Sequence, residues 1–261
     1  MRSLASLLLG ASLLCAHPAL AQDSKGLSLT PTRTLRYDAH EATWMQPDMS
    51  PDGRTILFDL LGDIYALDAG GGAARPLLTG MAFERNPVFS PDGKQFAFLS
   101  DRSGVTNLWI ANADGTGLKQ LSQDQSLAIY SSPAWSPDGQ SLVYTSDKGG
   151  GLPQLWIRDM KTGKDRRLTD IDTQPLGAAW SHDGTRIAYI DVDGRWGVAG
   201  LCVVDVATGK ITRLQGSLGQ PGSPSWSPDG KYVAIPLSYK YSNSFREGTN
   251  QVYMVPTDGV G

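Results

Sequence analysis

Residues Asn86–Ser122 decide the fold of this chain: NPVFSPDGKQFAFLSDRSGVTNLWIANADGTGLKQLS. Four β-prone segments alternate with turn signals in this stretch. They are Asn86–Ser90, Gln95–Leu99, Asn107–Ala111 and Leu118–Leu121. In the Ser-Pro-Asp-Gly element, Pro91 suits the second position of a tight turn, Asp92 can bond its own backbone, and Gly93 tolerates a positive φ. The stretch therefore predicts one unit of four short strands.

The Ser-Pro-Asp-Gly element recurs along the chain. It begins at Ser50, Ser90, Ser136 and Ser227, and Ser181-His182-Asp183-Gly184 fills the remaining slot. These starts lie 40, 46, 45 and 46 residues apart. A four-stranded unit repeated about every 40–45 residues is typical of propeller blades. We therefore predict an all-β protein, a β-propeller of four-stranded blades with five repeats visible.

The repeat sets the domain boundaries. We expect the propeller over residues 43–261, with blades at about 43–79, 86–122, 133–169, 177–214 and 223–258. Residues 22–42 form an N-terminal extension, in which Thr32–Tyr37 resembles the fourth strands of the blades. Either this segment completes the last blade and closes the ring, which would remove exposed strand edges, or the last blade is incomplete.

Large apolar residues recur at matching slots of the repeat. The residues just before each leading serine are Met49, Phe89, Trp135, Trp180 and Trp226. Stacked sheets need such side chains to fill the space between them. Because the slot is filled in every unit, we interpret these residues as core between blades and not as an aromatic box for a cofactor.

Residues 1–21 have the pattern of a secretory signal peptide. Arg2 supplies the charged start, Leu4–Leu14 the apolar stretch, and Ala19-Leu20-Ala21 a small-x-small cleavage site. The apolar run is too short to span a membrane. We therefore expect a periplasmic or secreted protein that begins near Gln22.

The net charge and the cysteine content argue against nucleic-acid binding and against an internal disulfide. The net charge is −3 for the whole chain, and loss of the leader with Arg2 makes it −4. This acidic balance disfavours nucleic-acid binding, which needs basic patches. Cys202 is the one cysteine beyond the leader, so no internal disulfide is expected, and its strand slot indicates an inert buried thiol.

The sequence shows no catalytic constellation. The two histidines beyond the leader, His40 and His182, are far apart, and no His-x-His, His-Glu-x-x-His or Gly-x-Ser-x-Gly motif is present. We predict no catalytic residue, no metal site and no cofactor in this chain. The five turn aspartates are interpreted as backbone caps, since one active site does not need five copies. They are Asp52, Asp92, Asp138, Asp183 and Asp229.

The loops indicate which face recognises a partner. In a propeller, the turns after strands one and three lie on one face, here called the regular face because its turns repeat. The connections after strands two and four lie on the opposite, irregular face, where lengths and sequences vary. Variable loops on a rigid scaffold usually carry recognition. We predict that the irregular face binds the partner through Arg85, Arg102, Tyr130, Arg195, Tyr239 and Arg246.

Two sets of motifs resemble known families. The stretches SPDGKQFAFLSDRSGVTNLWI and SPDGQSLVYTSDKGGGLPQLWI resemble the WD40-like propeller repeats of TolB-type periplasmic proteins. Thr43-Trp44-Met45, SPDGRTILFDLLGDIYAL, Gly80-Met81-Ala82-Phe83 and Phe245-Arg246-Glu247-Gly248-Thr249 resemble the propeller that precedes an amidohydrolase domain in large exported bacterial proteins. The likeness covers nearly all of the chain after the leader.

The resemblance implies a scaffold for binding or for gating substrate. In the amidohydrolase group the metal-binding histidines lie in a barrel C-terminal to the propeller, and none of those residues is in this sequence. The implied parent is a metal-dependent hydrolase of carbon–nitrogen bonds, with its divalent metal in that further domain. Two alternatives stay open: a stand-alone periplasmic propeller that binds a protein or peptide, as TolB-type propellers do, and the propeller of a serine oligopeptidase.

Overall fold

The computed structural model describes residue 33 and residues 45–193, 199–218, 221–239 and 249–258. Within them the chain forms five antiparallel sheets and no helix. The first sheet contains β1 (Asp48–Met49), β2 (Thr55–Leu60), β3 (Asp63–Asp68) and β4 (Arg75–Leu78). The second contains β5 (Glu84–Phe89), β6 (Gln95–Ser100), β7 (Asn107–Asn112) and β8 (Lys119–Gln120).

The other three sheets repeat this order. The third contains β9 (Tyr130–Trp135), β10 (Ser141–Ser146), β11 (Gln154–Asp159) and β12 (Asp165–Arg167). The fourth contains β13 (Gln174–Trp180), β14 (Arg186–Val192), β15 (Ala199–Asp205) and β16 (Ile211–Leu218). The fifth contains β17 (Ser225–Trp226), β18 (Tyr232–Tyr239) and β19 (Thr249–Pro256). Each strand pairs with its sequence neighbours, so each sheet is a meander, and the predicted all-β propeller with five blades is confirmed.

The Ser-Pro-Asp-Gly turns explain why their sequence repeats. Ser136 Oγ donates a hydrogen bond to Asp138 Oδ1 at 2.6 Å and accepts one from the Ser141 N–H at 2.9 Å. Gly139, at φ 69°, donates its N–H to the Ser136 carbonyl at 2.9 Å. The same serine–aspartate bond is present in all five turns. The aspartates therefore serve as caps of the turn, as predicted.

Four apolar clusters fill the spaces between consecutive blades. The cluster between the third and fourth blades includes Leu155 and Ile157 from one sheet and Ile187, Tyr189 and Cys202 from the other. Trp135, Trp180 and Trp226 pack at the equivalent interfaces, as the aromatic repeat predicts. The Cys202 thiol is free and buried, and burial raises its pKa to about 11, which agrees with an inert core position.

Three first strands begin earlier than the repeat predicts, whereas those of the first and fifth blades begin later, at Asp48 and Ser225. The second, third and fourth blades start at Glu84, Tyr130 and Gln174, two or three residues upstream of the predicted bounds. The reason is a bulge in each of these strands, seen as a register shift, beyond which pairing resumes. Arg85 and Tyr130, which the sequence places in loops, therefore lie on strands.

The N-terminal predictions fall outside the described residues. This applies to the signal peptide 1–21 and to the closing strand Thr32–Tyr37, of which residue 33 alone is described. No helix in the described ranges has the length and apolar character needed to cross a membrane.

Candidate functional site

The irregular face carries a concentration of exposed apolar side chains. Leu61 lies between β2 and β3, Leu152 between β10 and β11, and four others lie on connections between blades. We call this set the apolar rim: Leu61, Met81, Phe83, Leu127, Ile129 and Leu152. Clustered exposed apolar groups bordered by polar ones are typical of interaction sites.

A cavity of about 890 Å³ lies on the propeller axis and opens toward the irregular face. Its lining includes the rim residues Leu61 and Phe83, and residues from all five blades contribute. The volume falls within the range of about 300–1,000 Å³ that is usual for ligand sites.

One slot of the repeat supplies a ring of small or polar residues to this cavity. The residue four positions before each leading serine lines it in every blade. We call these five residues the axial ring: Gln46, Asn86, Ser132, Gly177 and Ser223. Three of them have left-handed backbone, with φ 55° at Asn86, 52° at Ser132 and 65° at Gly177. They sit at the bulges of the first strands, and such bulges commonly re-aim residues beside functional sites.

Asp59 holds part of the ring in place. It is buried, and its Oδ1 accepts the Gln46 N–H at 2.7 Å while its Oδ2 accepts the Asn86 N–H at 2.8 Å. The carboxylate thus accepts hydrogen bonds from two backbone N–H groups that the irregular backbone leaves without a strand partner. Across the interface between the third and fourth blades, Ser132 Oγ accepts the Gly177 N–H at 3.0 Å.

Two charged side chains from β5 also line the cavity. Arg85 Nη2 donates to the Tyr130 carbonyl at 3.2 Å, and burial lowers the pKa of this guanidinium, which stays charged. Glu84 has a side chain only 2% exposed and forms an ion pair with Arg102. Burial raises the pKa of Glu84, whereas the hydrogen bond and charge of Arg102 act in the opposite direction. Within the described residues, Glu84 Oε2 lacks a hydrogen-bond partner.

Among the predicted contact residues that the structure describes, Arg85 lines the cavity. Arg102 is turned inward: it pairs with Glu84 and stacks over Trp109 at 5.4 Å from the ring centroid. Tyr130 is fully buried, stacks on Tyr144 and donates its hydroxyl to Asp124, so its side chain belongs to the core between the second and third blades. We therefore remove Tyr130 from the candidate contact surface.

The remaining three predicted contacts are Tyr239, Arg195 and Arg246. Tyr239 ends β18, while Arg195 and Arg246 lie outside the described residues. In the part of the chain that is described, no group of three or more His, Cys, Asp or Glu side chains is arranged to hold a metal ion.

Sequence reasoning did not identify the axial ring or the apolar rim. A signal for the ring exists, since aligning the five repeats on their leading serines places only Gln, Asn, Ser and Gly at that slot. The rim has a weaker signal, namely single large apolar residues inside otherwise polar connections.

Comparisons with known proteins agree with this architecture. Residues 87–199 match the family model described as TolB beta propeller domain. The Tol-Pal system protein TolB of Anaeromyxobacter dehalogenans strain 2CP-C is 35% identical over 92 residues, which are 33% of this chain and 20% of that protein. The match therefore spans about a fifth of the relative's length, and the activity and partners of that protein are not assigned to this chain.

Two solved structures show the same fold at low identity. TolB from Acinetobacter baumannii superposes with a TM-score of 0.65 at 23% identity, covering 82% of this chain and 54% of that one. A puromycin-hydrolyzing peptidase of Mycobacterium tuberculosis superposes with a TM-score of 0.52 at 19% identity, covering 76% of this chain and 34% of that one. The chain is thus similar to the TolB β-propeller domain over residues 87–199, and the five-bladed fold of the described residues agrees with that similarity.

Proposed function

We propose that this chain is an exported binding propeller that holds a protein or peptide segment on its irregular face, above the axial cavity. The observation that carries the proposal is that two exposed residues of the apolar rim, Leu61 and Phe83, line the cavity. An extended segment would bury side chains against Leu61 and Phe83, and its polar backbone would meet the axial ring.

The charges of the site favour a polar or zwitterionic segment over a purely apolar one. Arg85 is charged and lines the cavity, and one of its N–H groups contacts the Tyr130 carbonyl. A guanidinium has five donors, so the others suit a carbonyl or carboxylate of the bound segment. The ring residues Asn86 and Ser132 add neutral donors and acceptors.

A peptide selected from a phage-displayed library against the wild-type chain provides the probe. Its affinity is measured by fluorescence anisotropy for Phe83→Ser/Ile129→Ser on the irregular face. The matched control is Leu118→Ser/Ile211→Ser, which changes two exposed apolar residues of the regular face. We expect the rim variant to lose about tenfold or more in affinity, and the control to bind like the wild type.

The reverse pattern, loss in the control and retention in the rim variant, would show that the wrong face has been chosen. Failure to select any peptide above background would contradict peptide binding itself.

We also propose that the chain serves as the N-terminal scaffold of an amidohydrolase-like protein in the periplasm. The support is the resemblance of Thr43-Trp44-Met45 and of the first blade to propellers that precede such domains. In that protein the propeller would gate substrate, and a divalent metal would belong to the C-terminal barrel. The coding sequence beyond Gly261 tests this: His-x-His in a barrel supports it, a Gly-x-Ser-x-Gly domain indicates the serine oligopeptidase alternative, and a stop codon favours a stand-alone TolB-like module.

Export is tested on the protein itself. N-terminal sequencing of material from the periplasmic fraction should give a chain that starts near Gln22. A chain confined to the cytoplasm with Met1 in place would contradict it.

A further inference from the structure

Two buried polar atoms belong to side chains that line the axial cavity and have no hydrogen-bond partner among the described residues. They are Glu84 Oε2 and Ser131 Oγ. Glu84 as a whole is only 1% exposed. Buried polar groups are hydrogen-bonded in most proteins, because an unpaired one costs free energy. A pair of unpaired groups in a cavity wall is therefore available to a ligand.

The two side chains come from adjacent blades that are tied together at this point. Glu84 begins β5 of the second blade, and Ser131 lies on β9 of the third. Arg85, which follows Glu84, donates to the carbonyl of Tyr130, the residue before Ser131. This bond fixes the two strands where they carry the unpaired atoms, so the groups border the same part of the cavity.

The free oxygen of Glu84 suits a cationic donor. Its other oxygen, Oε1, is paired with Arg102, so the protein uses only half of this carboxylate. The charged side chains that line the cavity in the described part of the chain are Asp59, Glu84 and Arg85, two carboxylates and one guanidinium. A primary ammonium has three donors, which allows one charge-assisted bond to Glu84 and a second bond to Ser131 Oγ.

The rest of the cavity indicates what accompanies the ammonium. Arg85 is next to Glu84 in the chain and has donors left for a carbonyl oxygen. The fourth blade contributes an apolar wall, made of Leu176, Ile190, Val192, Ala199 and Leu218. A ligand that carries an ammonium, a neighbouring carbonyl and an apolar side chain matches all three features, and such a mixture of apolar walls and few polar groups is typical of small-ligand sites.

We propose that the axial cavity binds an α-aminoacyl group with an apolar side chain. The ammonium lies on Glu84 and Ser131, the carbonyl on Arg85, and the side chain on the wall of the fourth blade. This inference rests on the proposed function, because the group would be the amino-terminal residue of the bound segment. The segment then enters the cavity by its amino terminus, while the residues that follow cross the apolar rim.

Three small amides test the ligand chemistry. L-Leucinamide has all three features, isocaproamide is the same molecule without the amino group, and glycinamide lacks the apolar side chain. Each is titrated into the isotope-labelled 261-residue chain, and chemical shifts of the cavity residues give the affinity. We expect a Kd of about 1 mM or tighter for leucinamide, and at least about tenfold weaker binding of the other two.

Variants assign the ammonium to its partners. Glu84→Gln should weaken leucinamide binding about tenfold or more and leave isocaproamide binding unchanged, since isocaproamide has no ammonium to lose. Ser131→Ala, which leaves the Glu84–Arg102 pair intact, should weaken leucinamide selectively by a smaller factor. Glu84→Gln/Arg102→Met buries neither charge alone and should bind leucinamide as weakly as Glu84→Gln. The control is Asp114→Asn, which removes an exposed carboxylate from the regular face and should bind like the wild type.

Three outcomes would overturn the inference. Isocaproamide may not bind the wild type as tightly as leucinamide, glycinamide may not match leucinamide, and Glu84→Gln may not retain full leucinamide affinity. Absence of any shift with leucinamide, while a selected peptide still depends on Phe83 and Ile129, would remove this inference and leave the proposed function standing. Leucinamide binding in the expected pattern, with no peptide selected, would keep the cavity site and remove the proposed function.

Discussion

The Trp180 indole N–H donates a hydrogen bond of 3.1 Å to the carbonyl of Ala134, across the interface between the third and fourth blades. The same bond joins Trp135 to Val88 at 3.2 Å and Trp226 to Ala179 at 3.0 Å. Each tryptophan therefore both fills the apolar space between two sheets and fixes their relative position through one directional contact.

Replacement of Trp180 should separate these two contributions. Trp180→Phe keeps most of the apolar volume and loses the hydrogen bond, so we expect the free energy of unfolding in urea to fall by about 1 kcal/mol. Trp180→Ala should lower it by about 3–5 kcal/mol. Trp109→Phe is the control, because among the described residues the Trp109 indole N–H has no acceptor, and that change should be nearly neutral. Equal losses for the two phenylalanine variants would contradict the role assigned to the bond.

The Glu84–Arg102 pair predicts a pH-dependent loss of stability. Arg102→Met leaves the buried Glu84 carboxylate without its cation, which should lower the free energy of unfolding by about 3–5 kcal/mol at pH 7. Burial already raises the pKa of Glu84 above its usual 4.5, and loss of Arg102 raises it further. When folding raises the pKa of a carboxyl group, the resulting stability is present at pH values below the group's pKa in the unfolded chain. This stability is lost as the pH rises through the group's pKa in the folded protein.

The Arg102→Met variant should therefore be closest to the wild type near pH 4–5 and furthest from it at neutral pH. Urea melts across this range measure the difference. Adding Glu84→Gln to the variant should recover part of the loss and remove its pH dependence, and a double variant that keeps the pH dependence would argue against Glu84 as its source.

Ser181 and Asp183 predict a titration of the opposite sign. Ser181 Oγ donates to Asp183 Oδ1 at 2.5 Å, and this bond, followed by that from the Thr185 N–H, lowers the pKa of Asp183 to about 2. The resulting stability is present at pH values above the usual aspartate pKa of 3.8. It is lost as the pH falls through the pKa that Asp183 has in the folded protein. In Ser181→Ala, we expect the NMR titration of the Asp183 carboxyl to move upward and acid unfolding to begin at higher pH. His182→Ala alters the same turn without removing the bond, so a comparable shift in that control would contradict the assignment.

Two turn glycines differ in what surrounds them. Gly53 has φ +71° and nothing within 4 Å of an added Cβ, so Gly53→Ala should cost only the left-handed backbone strain of about 1–2 kcal/mol. Gly115 has φ +86°, and an added Cβ would lie 2.8 Å from the Leu77 carbonyl oxygen of the first blade. Gly115→Ala should therefore destabilise the protein more than Gly53→Ala in urea melts. If the two variants unfold at the same urea concentration, the close approach at Gly115 is not maintained in solution.

The strands and turns follow from the sequence because their causes are local. Ser136, Asp138 and Gly139 hydrogen-bond to one another within a single turn, and Trp135, just before that turn, packs at the interface with the second blade. Short-range hydrogen bonds and the two-residue period of a strand do not depend on distant parts of the chain. The propeller class and the core slots were predictable for that reason.

The candidate site was not predictable in the same way, because five blades about 45 residues apart assemble it. Arg102 and Tyr130 are residue types that are common in contact surfaces. Their side chains nevertheless point inward, because Arg102 forms an ion pair with Glu84 and Tyr130 donates a hydrogen bond to Asp124. The sequence alone determined which residues form each blade and where its turns fall. Only the tertiary structure decided which polar groups meet at the axis, because that depends on left-handed bulge residues and on the packing of one blade against the next.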